Sequence, residues 1–281
     1  MFTLIAENKY GQQLELTHND AYVITSIDGL DPPDAVINTT RNVNADGSVF
    51  NSSYVDNRLI IITLSINGPA EDNRLELYRY FKVKYPVKLY YKNEARDVYI
   101  NGYVRNITIN FFNIKQVAQI TVFCPEPYFN GKMLEIEEFS NVEKLFEFPF
   151  EIVTPIEFGA IETETEKTVI NYGDVESGCK FILEAKEAVV NPTIYNTGTS
   201  EFYKLNITMA RGDEITINTM KKQKSVTLLS NGVTTNIIGN LVNGSTWFQL
   251  LPGDNLFLIT ADTGAVNLEA YCLITNRFEG V

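Results

Sequence analysis

Apolar side chains either recur at every second position or run together between turn residues along most of the first 130 positions, which is the pattern of strands half-buried on one face. The run Ala21-Tyr22-Val23-Ile24-Thr25-Ser26-Ile27 leads into Asp28-Gly29-Leu30-Asp31-Pro32-Pro33, and Arg58-Leu59-Ile60-Ile61-Ile62-Thr63-Leu64-Ser65-Ile66 stops at Asn67-Gly68-Pro69. Both read as strands ended by turn chemistry. Further strands are expected at Val87–Lys92, Asp97–Val104 and Gln119–Pro125. One helix interrupts them. After Pro69 an acidic first turn, Glu71-Asp72-Asn73, precedes Leu75, Leu77, Tyr78 and Phe81 at helical spacing, with Arg79 and Lys82 near the carboxyl end. Lys84-Tyr85-Pro86 closes it, because a proline disfavours helical geometry in the residue before it.

The character changes from Glu135 to Glu166. Ten glutamates fall in that stretch against the single base Lys144. A length of 281 residues favours two domains, and this acidic run is the natural seam. Such a run forms a solvated linker or an arm that docks on a basic surface. The expected division is therefore an amino-terminal β domain with one helix over 1–135, an acidic linker or arm over 136–170, and a β-sandwich over 171–281. In that last part strands such as Gly178–Ala185, Lys204–Met209, Glu214–Asn218 and Asn255–Thr260 alternate with tight turns at Gly212-Asp213, Asn231-Gly232, Asn243-Gly244 and Pro252-Gly253-Asp254-Asn255. Regular short strands at this spacing suggest an antiparallel sandwich, so the fold class is all-β, mainly strands with one supporting helix.

Composition narrows the function. With 23 Lys and Arg against 35 Asp and Glu, the net charge of −12 argues against nucleic acid as a partner, since a phosphate backbone is bound by a dense cationic surface. No basic segment followed by a long apolar run opens the chain at Met1-Phe2-Thr3-Leu4-Ile5, and no stretch has the uncharged length of a bilayer span, so neither export nor membrane insertion is expected. Cys124, Cys179 and Cys272 are odd in number, widely spaced and set in apolar strands, and read as small buried hydrophobes in a reducing assembly compartment.

Candidate chemistry is sparse. His18, the one histidine, lies in the polar segment Thr17-His18-Asn19-Asp20 with no second His or Cys near it, and reads as a surface turn residue rather than a ligand or base. No Gly-x-Ser-x-Gly elbow, phosphate-cradling glycine loop, dinucleotide fingerprint or calcium-loop spacing occurs. Two facing carboxylates of a glycoside hydrolase need no local motif, but 35 acids make coincidence cheap. Catalytic, cofactor and metal residues are accordingly expected to be none. Trp247 lies in Thr246-Trp247-Phe248-Gln249-Leu250-Leu251, where Trp247, Gln249 and Leu251 share one face and Phe248 and Leu250 the other, and it serves as a core or interface anchor in preference to a sugar-stacking platform.

Three clusters of residues bring a family into view. The first is Ser26-Ile27-Asp28-Gly29-Leu30-Asp31-Pro32-Pro33 followed by Asp46-Gly47 and the Arg58 strand. The second is the helix after Pro69, closed by Tyr85-Pro86-Val87-Lys88-Leu89-Tyr90 and then Tyr99-Ile100-Asn101-Gly102-Tyr103-Val104. The third is Asn191-Pro192-Thr193-Ile194, Gly212-Asp213-Glu214-Ile215-Thr216-Ile217-Asn218-Thr219 and Trp247-Phe248-Gln249-Leu250-Leu251-Pro252-Gly253-Asp254-Asn255. In this order and spacing the chain resembles the distal tail protein (Dit) family of siphophages that infect Gram-positive bacteria. The resemblance implies an amino-terminal domain that closes into a hexameric ring and a galectin-like or carbohydrate-module-like carboxyl-terminal sandwich. It implies a non-enzymatic virion protein of the tail tip or baseplate, assembled in the host cytoplasm. Its partners would be further copies of itself, the tail tube protein, the tail-associated hub protein and, in some phages, receptor-binding proteins. A carbohydrate-binding module for attachment to the host surface is the alternative, and a polysaccharide-cleaving sandwich enzyme the third reading.

Overall fold

A computed structural model describes residues 2–43, 46–110, 112–113, 115–139, 142–143, 160–161 and 166–281. The chain divides into two compact units, Met1–Met133 together with Arg277–Val281, and Leu134–Asn276. The β-rich class read from the pattern is the architecture found, as strands in antiparallel sheets with one α-helix among the described residues.

The first unit is built on a nine-stranded sheet. Its main path places Arg58–Ile66 between Gln116–Cys124 and Tyr22–Asp28, with Asp97–Ile109, Pro86–Lys92, Thr3–Asn8 and Gln13–Glu15 following on the far side of Gln116–Cys124. Alternation along Arg58–Ile66 is strict: Ile60, Ile62, Leu64 and Ile66 are buried while the residues between them are half-exposed. They are paired with Val122, Ile120, Ala118 and Gln116 in register, so the apolar positions of neighbouring strands fall on one face. The helix Ala70–Tyr80 adds Leu77, and Phe81 at its carboxyl cap, to this core. The Tyr22 phenol donates to the Asn73 carbonyl at 2.9 Å and to the Glu76 carboxylate at 2.7 Å, tying the helix to the edge strand. Burial, reinforced by Glu76, pushes that phenol well above its ordinary pKa, so it remains a donor. Leu75, placed by its spacing on the apolar stripe, is 47% exposed. Two residues, about 200° of helical rotation, separate it from Leu77 and turn it to nearly the opposite side, so the helix buries a narrower stripe than the four apolar residues suggested.

The second unit is an antiparallel sandwich. A six-stranded sheet ordered Glu135–Phe139, Leu268–Ile274, Cys179–Ala185, Glu214–Asn218, Ser225–Ser230, Val233–Asn236 faces a five-stranded sheet containing Lys167–Asn171, Gly253–Thr263, Val189–Asn196, Glu201–Lys204 and Thr208–Met209. Phe181, Phe248 and Phe257 meet edge to face between them, with ring centroids 5.3 to 6.3 Å apart. Of the Trp247 segment, Phe248 and Leu250 face the core, Leu251 is exposed, and the half-buried Trp247 packs edge-on against Tyr203 at 5.2 Å. Asn231 and Gly232 both have positive φ and join Ser225–Ser230 to Val233–Asn236, the two-residue hairpin turn that an Asn-Gly pair selects.

Two boundaries differ from the sequence reading. Glu135–Phe139 pairs with Leu268–Ile274 and Lys167–Asn171 with Gly253–Thr263, so both flanks of the acidic 136–170 stretch are strands of the second unit. The rest of that stretch, apart from the short pair Val142–Glu143 with Ala160–Ile161, lies outside the described residues. The other difference is at the end of the chain, where Arg277–Phe278 pairs with Phe129–Gly131 in the first unit. Glutamates at an edge strand disguise it as linker while discouraging edge-to-edge addition. A two-residue strand is too short to show a period.

Phe181→Ala opens the aromatic cluster of the second unit and should cost roughly 3–5 kcal/mol. Trp247 is the chain's single tryptophan and packs on that unit's core, so its fluorescence in a urea titration reads the loss directly; an unmoved midpoint would show that Phe181 is not the packing centre.

Candidate assembly site

Between the paired strands Tyr22–Asp28 and Arg58–Ile66 the chain makes a second, separate excursion. Ala35–Thr40 pairs with Val49–Val55 as a two-stranded hairpin that joins no other sheet among the described residues. Every described residue from Asp34 to Tyr54 is solvent-exposed. The register puts Ala35, Ile37, Thr39, Phe50, Ser53 and Val55 on one face and Val36, Asn38, Thr40, Val49, Ser52 and Tyr54 on the other. Ile37 and Phe50 are each 62% exposed and Tyr54 54%. Cross-strand bonds from Asn38 to Ser52 and from Asn51 to Thr40 help hold the ribbon together. A lone two-stranded hairpin is marginal in water, and an apolar ribbon bare on both faces marks a surface that something else covers.

The base of this ribbon is anchored by one side chain. Arg58, 4% exposed, opens the central strand and sends its guanidinium inward. Nε donates to the Pro127 carbonyl at 2.6 Å, Nη1 to those of Gly29 and Asp31 at 2.6 and 2.7 Å, and Nη2 to that of Glu279 at 2.5 Å. Its plane lies over the Phe129 ring, 4.7 Å from the centroid. Five N–H donors in a rigid fork make this arrangement available to arginine and not to lysine. Burial lowers the Arg58 pKa from its ordinary value. Cys124, directly opposite Arg58 in register, is pushed up to about 12 by burial against the pull of that cation.

Gly29 completes the anchor. Its φ is +90°, and a Cβ there would stand 2.1 Å from the Leu59 carbonyl oxygen. The outgoing chain thus crosses against the backbone of the incoming strand where only glycine fits.

Neither residue singled out for chemistry joins this site. His18 is exposed in a turn with φ +48°, and Trp247 belongs to the second unit. Among the described residues no group of three or more His, Cys, Asp and Glu is placed to hold a metal, and no helix is long and apolar enough to cross a membrane. Cys124, Cys179 and Cys272 are free and buried. What the sequence reading missed is the role of Arg58 and the bareness of the ribbon. An arginine opening a run of alternating Ile and Leu was the available signal.

Residues 9–124 match the phage tail protein RIFT-related domain, and residues 172–271 match the siphovirus-type tail component, C-terminal domain. The chain is thus a structural protein of a phage tail. More narrowly, it belongs to the siphovirus-type distal tail protein family, whose place is the tail tip. No curated protein matches the sequence. Among solved structures, the crystal structure of the Dit protein of phage SPP1, described as a paradigm of the hub adsorption apparatus in phages infecting Gram-positive bacteria, shares the fold at a TM-score of 0.72. Identity is 13%, and the alignment covers 99% of each chain. A chain of the phage P2 baseplate in its calcium-activated conformation aligns at a TM-score of 0.56 and 12% identity over 100% of both chains. A chain of the strontium form aligns at 0.51 and 11% over 98%.

Replacing Arg58 by Met leaves four carbonyls without their donor and should cost roughly 3–5 kcal/mol, with Arg58→Lys recovering part of it. Far-UV circular dichroism on heating should show the loss while the Trp247 fluorescence transition of the second unit stays in place. The raised Cys124 pKa gives a second expectation. The folded state holds the thiol neutral while the unfolded chain ionises it, so its contribution is full below the ordinary value of 9.0 and is lost as pH rises through about 12. Urea midpoints of the first unit measured across that window should fall, and a Cys124→Ala variant should fall less.

Proposed function

We propose that the first unit closes into a ring of about six copies that joins the tail tube to the tip hub, and that the projecting hairpin is the element that reaches the neighbouring copy. The protein then acts by assembly and catalyses no turnover. The observation that carries this reading is the exposure of every described residue from Asp34 to Tyr54, apolar residues included, on a ribbon whose base is held by Arg58 and Gly29.

Charge supports the same division of labour. The first unit holds 15 acidic and 14 basic residues, a net −1, whereas the second holds 20 acidic and 9 basic, a net −11. Copies of the first unit can gather without accumulating repulsion, while copies of the second repel each other. Segregating the charge this way favours contact through the first unit. The two matched domains, together with the likeness to a Dit protein and to baseplate chains, support a role in such an apparatus.

Light scattering over a wide concentration range should give a particle of about six chains, since ring closure follows mass action. Ile37→Asp combined with Phe50→Asp should leave the circular dichroism and Trp247 fluorescence unchanged and reduce the particle to monomer. A ring that survives both charges would remove the hairpin from the contact.

A further inference from the structure

The sheet face of the first unit turned away from its core carries an unusual surface for so acidic a chain. Leu4, Ala6, Val87, Leu89, Val98 and Ile100 point inward, so the alternate positions Glu7, Lys88, Tyr90, Tyr99, Asn101 and Tyr103 point outward. Lys88 Nζ lies 3.9 Å from the Tyr99 ring centroid and 4.9 Å from that of Tyr90, and Lys132 Nζ lies 5.7 Å from Tyr90. Beside them Lys9 sits 3.8 Å from Tyr85 and 4.7 Å from Tyr10, with Lys82 4.8 Å from Tyr85.

Among the described residues none of these four ammonium groups forms an ion pair. The nearby carboxylates are engaged elsewhere: Glu7 accepts from Tyr90 at 3.1 Å and Gln13 at 2.7 Å, and Glu126 pairs with Arg277 at 3.2 Å. Tyrosine rings order the lysines without neutralising them, which lowers the entropy lost when an anion arrives. A groove of about 460 Å³ runs across this face, lined by Glu7, Lys9, Lys88, Asn101, Tyr103 and Glu126 among others, with Tyr103 49% exposed.

We infer that this lysine–tyrosine face receives the acidic segment 135–166 of a second copy of the chain. The inference rests on the assembly reading above. That segment carries ten glutamates and one lysine, a net −9, and its described beginning, Glu135–Phe139, presents Ile136 59% exposed. Its charge complements the four unpaired lysines, and its exposed isoleucine suits tyrosine rings. The two patches are different surfaces of one chain, so the contact is heterologous, the kind that builds a closed ring. It would also draw the strongly acidic second unit of each copy toward a neighbour's cationic face instead of toward another acidic unit.

The test is zero-length carbodiimide cross-linking of the full chain, with normal and nitrogen-15-labelled protein mixed in equal amounts while dilute and then concentrated. Peptide mass spectrometry reads which lysine joins which glutamate and whether the two peptides carry different labels. Adducts of Lys9 or Lys88 with Glu143, Glu147, Glu151, Glu157, Glu162 or Glu164 in mixed-label pairs are expected. Their yield should drop several-fold when salt rises from about 0.1 M to about 1 M, which shortens the screening length from ~10 Å to ~3 Å. Adducts in same-label pairs only would overturn the second-copy assignment, as would a salt-insensitive yield. Absence of these adducts in a particle whose mass shows a ring overturns this inference and leaves the ring reading standing. A monomer at every concentration, with no mixed-label adduct, overturns both.

Discussion

A buried guanidinium that must find acceptors for its donors organises the first unit. Arg58 meets the requirement with backbone carbonyls from the segment after Asp28, from the loop after Cys124 and from the last residues of the chain. Each carbonyl in turn depends on Arg58, because a buried acceptor left without a donor costs more than the bond itself contributes. Three stretches far apart in sequence are thereby fixed at one point. The hairpin, the chain crossing at Gly29 and the final strand Arg277–Phe278 all take their positions from it. The energetic risk is the same as for any buried charge, and it is met here by carbonyl acceptors for four of the five N–H donors and by the Phe129 ring beneath the fork.

Around that point the unit divides its apolar residues between two purposes. Ile60, Ile62 and Leu64 pack inward against Val122, Ile120 and Ala118 and hold the sheet together. Ile37, Phe50 and Tyr54 leave more than half of their surface in water. A domain that buried all its apolar surface would have no reason to associate. This one leaves part of it exposed on the ribbon, and the unit's charge is close to neutral.

Much of the fold was legible because strand and turn chemistry are local. The alternation in Arg58–Ile66, the helix stop before Pro86 and the Asn231-Gly232 turn all follow from residues within a few positions of one another. The site was less legible. Ala35–Thr40 and Val49–Val55 mix apolar and polar residues much as a half-buried strand does, and only the tertiary structure shows that neither face is covered. Arg58 contacts positions 29, 31, 127 and 279, a set that no local window contains. Glu135–Phe139 hid as linker because an edge strand buries little, here mainly Phe139, and can carry charge on the rest.

The return of Arg277–Phe278 to the first unit has a mechanical consequence. The second unit is spliced into the first, leaving it after Met133 and rejoining it at Arg277, so it hangs from two covalent strands and not one. A pull on the second unit is shared between both attachment points. The strands at the two points, Phe129–Gly131 and Arg277–Phe278, pair with each other, and Pro127 and Glu279 beside them accept from the Arg58 fork. Force arriving from the sandwich therefore bears on paired strands braced by a buried cation.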